Sequence, residues 1–130
     1  MESGIVQLSP ELLALLGGGA AGGLQPFARE IFVLNVYVAG TTYCENIGDV
    51  IDQVVPGASL QMRRDPDNEV DEYAIGIYLG TTRIGWVPMK DNLVIARLMD
   101  AGKAFTCKVV KVSNLGSWWK INVSIYMIDT

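Results

Sequence analysis

Histidine is absent from this sequence of 130 residues, and cysteine occurs only twice. The first absence removes the commonest general base at neutral pH, and with it every Ser-His-Asp and Cys-His arrangement. The second leaves Cys44 and Cys107 too few for a disulfide framework, and with no Cys-x-x-Cys pair they form no zinc site. Both read as small buried hydrophobes. No apolar run reaches the roughly 18 to 20 residues that cross a bilayer. Signal-peptide character is lacking as well, because the stretch Met1 to Leu16 carries Glu2 and Glu11 around its leucines in place of a positive flank. The expectation is a cytoplasmic protein that does not associate with membranes. A phosphate-cradling loop of Walker type is missing too: the glycines between Gly17 and Gly23 follow no strand and precede no Lys-Ser/Thr. Together these absences point to a binding protein, not an enzyme, with no cofactor and no metal.

What the sequence has is core-forming material. Half of its residues are hydrophobic and 18% are charged, enough for one well-formed domain. The net charge of −4 is unevenly spread. Residues 1–82 set Arg29, Arg63 and Arg64 against eleven acids, a balance of −8. Residues 83–130 set Arg83, Lys90, Arg97, Lys103, Lys108, Lys111 and Lys120 against Asp91, Asp100 and Asp129, a balance of +4. The acidic total argues against bulk phosphate binding. The basic set can still form a local cationic surface if its members share a face, and otherwise forms a solvated rim.

Three zones follow one another. Residues 1–16 hold a short leucine-rich helix or tail, in which Ser9-Pro10 is a helix start and Leu12, Leu13, Leu15 and Leu16 offer a surface for a partner or a second copy. Residues 17–29 form a glycine-rich linker. Residues 30–130 carry the period-two patterning of a β-rich domain. Strands are expected at 31–38, 59–64, 73–79, 83–87, 105–112 and 119–128. Helices are expected at 46–55 and 91–101, the second with Leu93 and Ala96 on its apolar side. Tyr73, Ile75, Ile77, Trp119, Ile121, Val123 and Ile125 fall on inward faces. Six strands and two short helices in about 100 residues suggest a small antiparallel barrel or curled sheet, mainly β, with helices plugging its ends.

The acidic run Asp65 to Glu72 invites a divalent-cation reading, but it lacks the glycine and distal glutamate of a calcium loop. Turn construction is the better role, since Asp and Asn side chains accept from backbone N–H groups of their own loop. Trp118 and Trp119 are adjacent, so strand alternation sends one ring inward and the other outward, to cover apolar surface or to stack on a ligand.

The run Arg64-Asp65-Pro66-Asp67-Asn68-Glu69-Val70-Asp71-Glu72-Tyr73-Ala74-Ile75 resembles the signature of HIRAN domains. Val38-Ala39-Gly40-Thr41-Thr42-Tyr43 and Ile84-Gly85-Trp86-Val87-Pro88 resemble two further segments of that family in order and spacing, so the likeness spans residues 31–128. It implies an OB-like barrel that binds single-stranded DNA, in particular its 3′ end, as an accessory to DNA processing or repair. By position, Tyr43 and one of Trp118 and Trp119 would stack on bases and Asn68 and Asp71 would bond the terminal nucleotide; Lys90, one place off a basic position of the family, and Arg83 would meet phosphates. Two positions depart from the DNA-binding members of the family: Thr42 stands in place of an arginine, and Val70 in place of a tyrosine. A protein-interaction module that takes a peptide in the same groove is the principal alternative, and a residual enzyme with Asp71 as its base is a third reading.

Overall fold

The computed structural model describes residues 29–129; the leucine segment and most of the glycine-rich stretch lie outside the described residues. β1 (Arg29–Tyr37) leads through a 3-10 turn at Thr41–Tyr43 to the short helix α1 (Ile47–Val50), which continues as a second 3-10 turn, Ile51–Gln53. Then come β2 (Ser59–Arg64), β3 (Ile75–Leu79), β4 (Thr82–Trp86), α2 (Met89–Asp100), β5 (Ala104–Asn114) and β6 (Trp119–Asp129). All six strands join one antiparallel sheet in the order β1-β6-β5-β2-β3-β4. Among the described residues no helix is long and apolar enough to cross a membrane.

Both outer strands of that order meet. Beyond β1, the Val38 N–H donates to Ile121 O at 2.8 Å, so the chain still follows β6. One residue later Ala39 and Trp86 exchange N–H···O bonds, each of 2.8 Å, which ties β1 to β4 and closes the sheet on itself. Closure requires glycine at two points. A Cβ on Gly85 would collide with the Val38 side chain and lie 2.6 Å from Ala39 O, and a Cβ on Gly40, whose φ is +73°, would lie 2.7 Å from the Trp86 ring.

Inside, alternation fills the barrel. Ile75, Ile77, Ile121, Val123 and Ile125 are fully buried, together with Leu60, Ile84 and Cys107. Tyr73 and Trp119 are half-buried and pack on the margin of this core. Bulges in β1 and β5 insert Val33 and Val110 as extra, outward residues, which bends both strands around the core.

The helices differ from the sequence expectation. The segment expected to be helical over 46–55 splits into α1 and the 3-10 turn, although Ile47 and Val54 are buried as their spacing implies. Helix α2 begins at Met89, just after Pro88, and buries Asn92, Ile95 and Ala96. Leu93, assigned to the apolar side, is instead 43% exposed, because the stripe facing the barrel runs through Asn92, Ile95 and Ala96.

Truncation of the central residue of the inward face, Ile121→Ala, should cost about 2 to 5 kcal/mol of unfolding free energy, read from urea denaturation. A loss near zero would place the β6 register one residue off. Burial pushes the Cys107 thiol up to about 12 from its ordinary 9.0. A thiol reagent at pH 8 should therefore leave Cys107 unmodified in the native protein and label it promptly once the chain unfolds.

Candidate nucleic-acid interface

Near the closure point lies a groove of about 470 Å³, within the range of small-ligand sites. Ala39 and Gly40 form one wall, and Trp86, Val87 and Met89 form another. The third side is the loop between β2 and β3, which contributes Asn68, Val70, Asp71 and Ala74. Tyr43 stands at the mouth. Its turn is built on Gly40, whose carbonyl accepts from Tyr43 N–H at 3.0 Å, and is held from below by Thr41, whose hydroxyl donates to Trp119 O at 3.0 Å. The backbone is thus fixed while the Tyr43 ring is 80% exposed. Val70, 83% exposed, and Met89, 63% exposed, complete an apolar collar around the opening.

The loop is held by its own side chains. Asn68 Oδ1 accepts from Val70 and Asp71 N–H at 2.9 and 3.0 Å, while its amide nitrogen donates to Asp65 Oδ2 at 3.0 Å. Asp71 Oδ1 accepts from Tyr73 N–H at 2.9 Å, and Asp71 Oδ2 accepts from the amide of Asn92 at 2.7 Å. Beneath the loop, the Arg64 guanidinium donates to the carbonyls of Ala74 and Glu72 at 2.6 and 2.9 Å and forks onto Asp100 at 2.8 and 3.2 Å. The acidic run therefore builds a turn, the role expected of its Asp and Asn residues.

Charge around the groove is mixed. Arg83 lies behind the Trp86 wall with its guanidinium 4.7 Å from that ring's centroid, and one of its nitrogens is 4.0 Å from Asp65. Burial raises the pKa of the Cys44 thiol, and the nearby Arg83 partly offsets the rise. Trp86 carries a buried indole N–H with no acceptor among the described residues. Such a group costs about 1 to 3 kcal/mol.

The HIRAN domain family model matches residues 31–127, about three quarters of the chain. The chain belongs to the HIRAN domain family. Comparison with curated proteins finds no match. Two solved structures share the fold of this HIRAN domain. A protein from Lactobacillus plantarum superposes with a TM-score of 0.72 at 19% identity, over 79% of this chain and 99% of that one. The HIRAN domain of human HLTF superposes with a TM-score of 0.65 at 16% identity, over 82% of this chain and 84% of that one.

Of the residues singled out from the sequence, the HIRAN fold gathers Tyr43, Asn68 and Asp71 into the groove. Arg83 touches it only through Trp86, and Lys90 is exposed on the first turn of α2, next to Met89. Trp118 and Trp119 are at the β5–β6 hairpin, where the Trp119 carbonyl supports the Tyr43 turn but neither ring lines the groove. Sequence reasoning missed Trp86, Met89 and Asn92 as site residues. Trp86 and Met89 flank Val87-Pro88, where strand becomes helix, and no local period marks them. Asn92 had a usable signal, since it shares a helical stripe with Ile95 and Ala96 and so had to be buried with a partner.

That partner is Asp71, and the pairing predicts coupling. Asn92→Ala and Asp71→Ala should each cost about 1.5 to 3 kcal/mol, as expected for a hydrogen bond to a charged group. The double variant should lose less than the two together, by at least about 0.5 kcal/mol in chemical denaturation. Simple additivity would mean that the bond contributes nothing.

Proposed function

We propose that this HIRAN domain holds the end of a DNA single strand in the groove beside Ala39 and Trp86. The observation that carries the reading is the convergence of Tyr43, Asn68 and Asp71, three residues from two distant loops, on one opening with an exposed ring at its mouth. A ring free on the surface yet fixed at its backbone can stack on a base without ordering the loop first, and base–aromatic stacking tolerates any sequence. Asp71 spends one acceptor position of each carboxylate oxygen on Tyr73 and Asn92, which leaves capacity for a hydroxyl of the terminal sugar. A free 3′ hydroxyl can donate there, whereas a 3′ phosphate is repelled. HIRAN domains are in general nucleic-acid-binding modules, and this reading makes the protein a cytoplasmic accessory of DNA processing or repair that does no chemistry of its own.

A second reading has an observation behind it too. The collar of Val70 and Met89 and the walls of Ala39, Ala74 and Val87 are apolar, which suits a hydrophobic peptide side chain. Titration of short fluorescent single strands at low salt separates the two.

Tyr43→Ala should weaken binding by about 1 to 3 kcal/mol if its ring stacks on a base. Asp71→Asn, which keeps an acceptor and removes the charge, should shrink the preference for a 3′ hydroxyl over a 3′ phosphate. Equal affinity for both ends in the unaltered protein would rule out end recognition, and no binding to any oligonucleotide would leave the groove to a peptide.

A further inference from the structure

Away from the groove, the outward face of β1, β6 and β5 combines exposed rings with lysines. Strand register sets Phe32 beside Tyr126, and Tyr37 in line with Asn122 and Lys111, with Lys108 and Lys120 one row to either side. Lys120 Nζ lies 4.6 Å from the centroid of the Tyr37 ring, and Lys108 Nζ lies 5.2 Å from that of Tyr126. Among the described residues, Glu30 is the carboxylate that pairs with this set, 2.7 Å from Lys108 Nζ, and no carboxylate pairs with Lys111 or Lys120. This face is cationic in a protein of net charge −4. The loop that borders the groove is its opposite, with Asp65, Asp67, Glu69, Asp71 and Glu72 in eight residues.

That contrast decides where a polyanion can run. Phosphates beyond a bound end would be repelled along the acidic loop and attracted toward Lys111 and Lys120. The route is short: Tyr37 precedes the groove residue Ala39 by two positions, about 7 Å of extended chain. We infer that the β1–β6–β5 face is a second contact surface for single-stranded nucleic acid, on which Lys111 and Lys120 neutralise backbone phosphates and Tyr37 stacks on a base. The inference rests on the groove reading above for the direction of the strand. In the free protein the Lys120 ammonium covers the Tyr37 ring; moving it onto a phosphate uncovers the ring for stacking. Three lysines alternating with rings suit a chain that offers phosphates and bases in turn, which an acidic peptide does not.

The test compares a thymidine trinucleotide, which fills the groove and reaches little beyond it, with a thymidine dodecanucleotide, each titrated against the full chain over a range of salt. The longer strand should bind more tightly and with a steeper salt dependence. In the variant Lys111→Gln/Lys120→Gln, which removes the charges and keeps part of each stem, trinucleotide affinity should fall much less than dodecanucleotide affinity and the advantage of the longer strand should be lost, with the log-log salt slope for the dodecanucleotide smaller by about 1.4 for two phosphates. Tyr37→Ala should lower affinity for the dodecanucleotide about fivefold or more. Melting curves confirm that both variants fold. Unchanged dodecanucleotide affinity and slope in the double lysine variant would overturn the inference. So would polyglutamate of matching charge binding as tightly as the dodecanucleotide, which would mark the face as a site for acidic proteins. Failure of the groove reading has a separate signature: trinucleotide binding absent or indifferent to Tyr43→Ala while the lysine effect on the dodecanucleotide persists, which keeps the face and discards the groove.

Discussion

Two hydrogen bonds between Ala39 and Trp86 turn a six-stranded sheet into a barrel, and both the core and the groove depend on them. Without the bridge the backbone N–H and C=O groups of Ala39 and Trp86 would lose their partners, and the edge of β4, which carries the fully buried Ile84, would lie open. Closure also brings together segments 47 residues apart in sequence, so that Gly40, Tyr43 and Trp86 border one opening. It is sterically demanding, because the backbones approach too closely for a Cβ at Gly40 or Gly85. The groove is consequently rigid on its barrel side. The Ala39–Gly40 wall is backbone packed against the Trp86 ring, and neither can shift without disturbing the bridge, while the Val87 and Met89 side chains complete the wall beyond the ring.

The opposite side is rigid for an electrostatic reason. Asn68 uses its carbonyl and its amide within the loop, Asp71 is anchored to α2 through Asn92, and Arg64 ties two loop carbonyls to Asp100 at the far end of that helix. Loop and helix therefore form one unit with polar cross-links. A residue can serve such a site only with acceptor positions left over from building it. Asp71 has them, whereas the carbonyl oxygen of Asn68 is filled by two loop N–H groups and its amide nitrogen keeps one N–H beyond the bond to Asp65, so Asn68 can offer a donor but no acceptor.

Much of this was legible in the sequence because it rests on local rules. Alternation from Trp119 to Met127 identified Ile121, Val123 and Ile125 as core, and Pro88 marked the change from strand to helix. The signature from Arg64 to Ile75 placed Asn68 and Asp71 in one loop before any contact was known. What escaped is non-local. The partner of Ala39 could not be read from the sequence, because a bridge between isolated residues leaves no period. The role of Trp86 was hidden in a strand where every aromatic reads as core. The two adjacent tryptophans at 118 and 119 drew attention by composition, yet the hairpin puts both rings outside the groove and leaves only the Trp119 carbonyl to support it. Bulges at Val33 and Val110 broke the alternation where a single extra residue is indistinguishable from a shift of register.

The charge asymmetry of the sequence becomes meaningful once it is folded. Acids of the first part concentrate in the β2–β3 loop, while Lys108, Lys111 and Lys120 come to one outward face because β5 and β6 are adjacent and the bulge at Val110 returns Lys111 to the face that Lys108 occupies. Lys90 and Arg97 lie elsewhere, on α2, with Arg97 5.7 Å from the Tyr73 ring centroid and its pKa raised chiefly by the nearness of the Tyr73 side chain. With Arg83 behind Trp86 and Lys103 in the turn after α2, the basic set is thus dispersed, and the β5–β6 surface is where lysines interleave with exposed rings. A net charge of −4 describes neither this surface nor the acidic loop. At physiological ionic strength fields are screened over about 8 Å, so an anion at Lys111 responds first to the lysines immediately around it. That is how an acidic protein can present a surface with the character of a basic one.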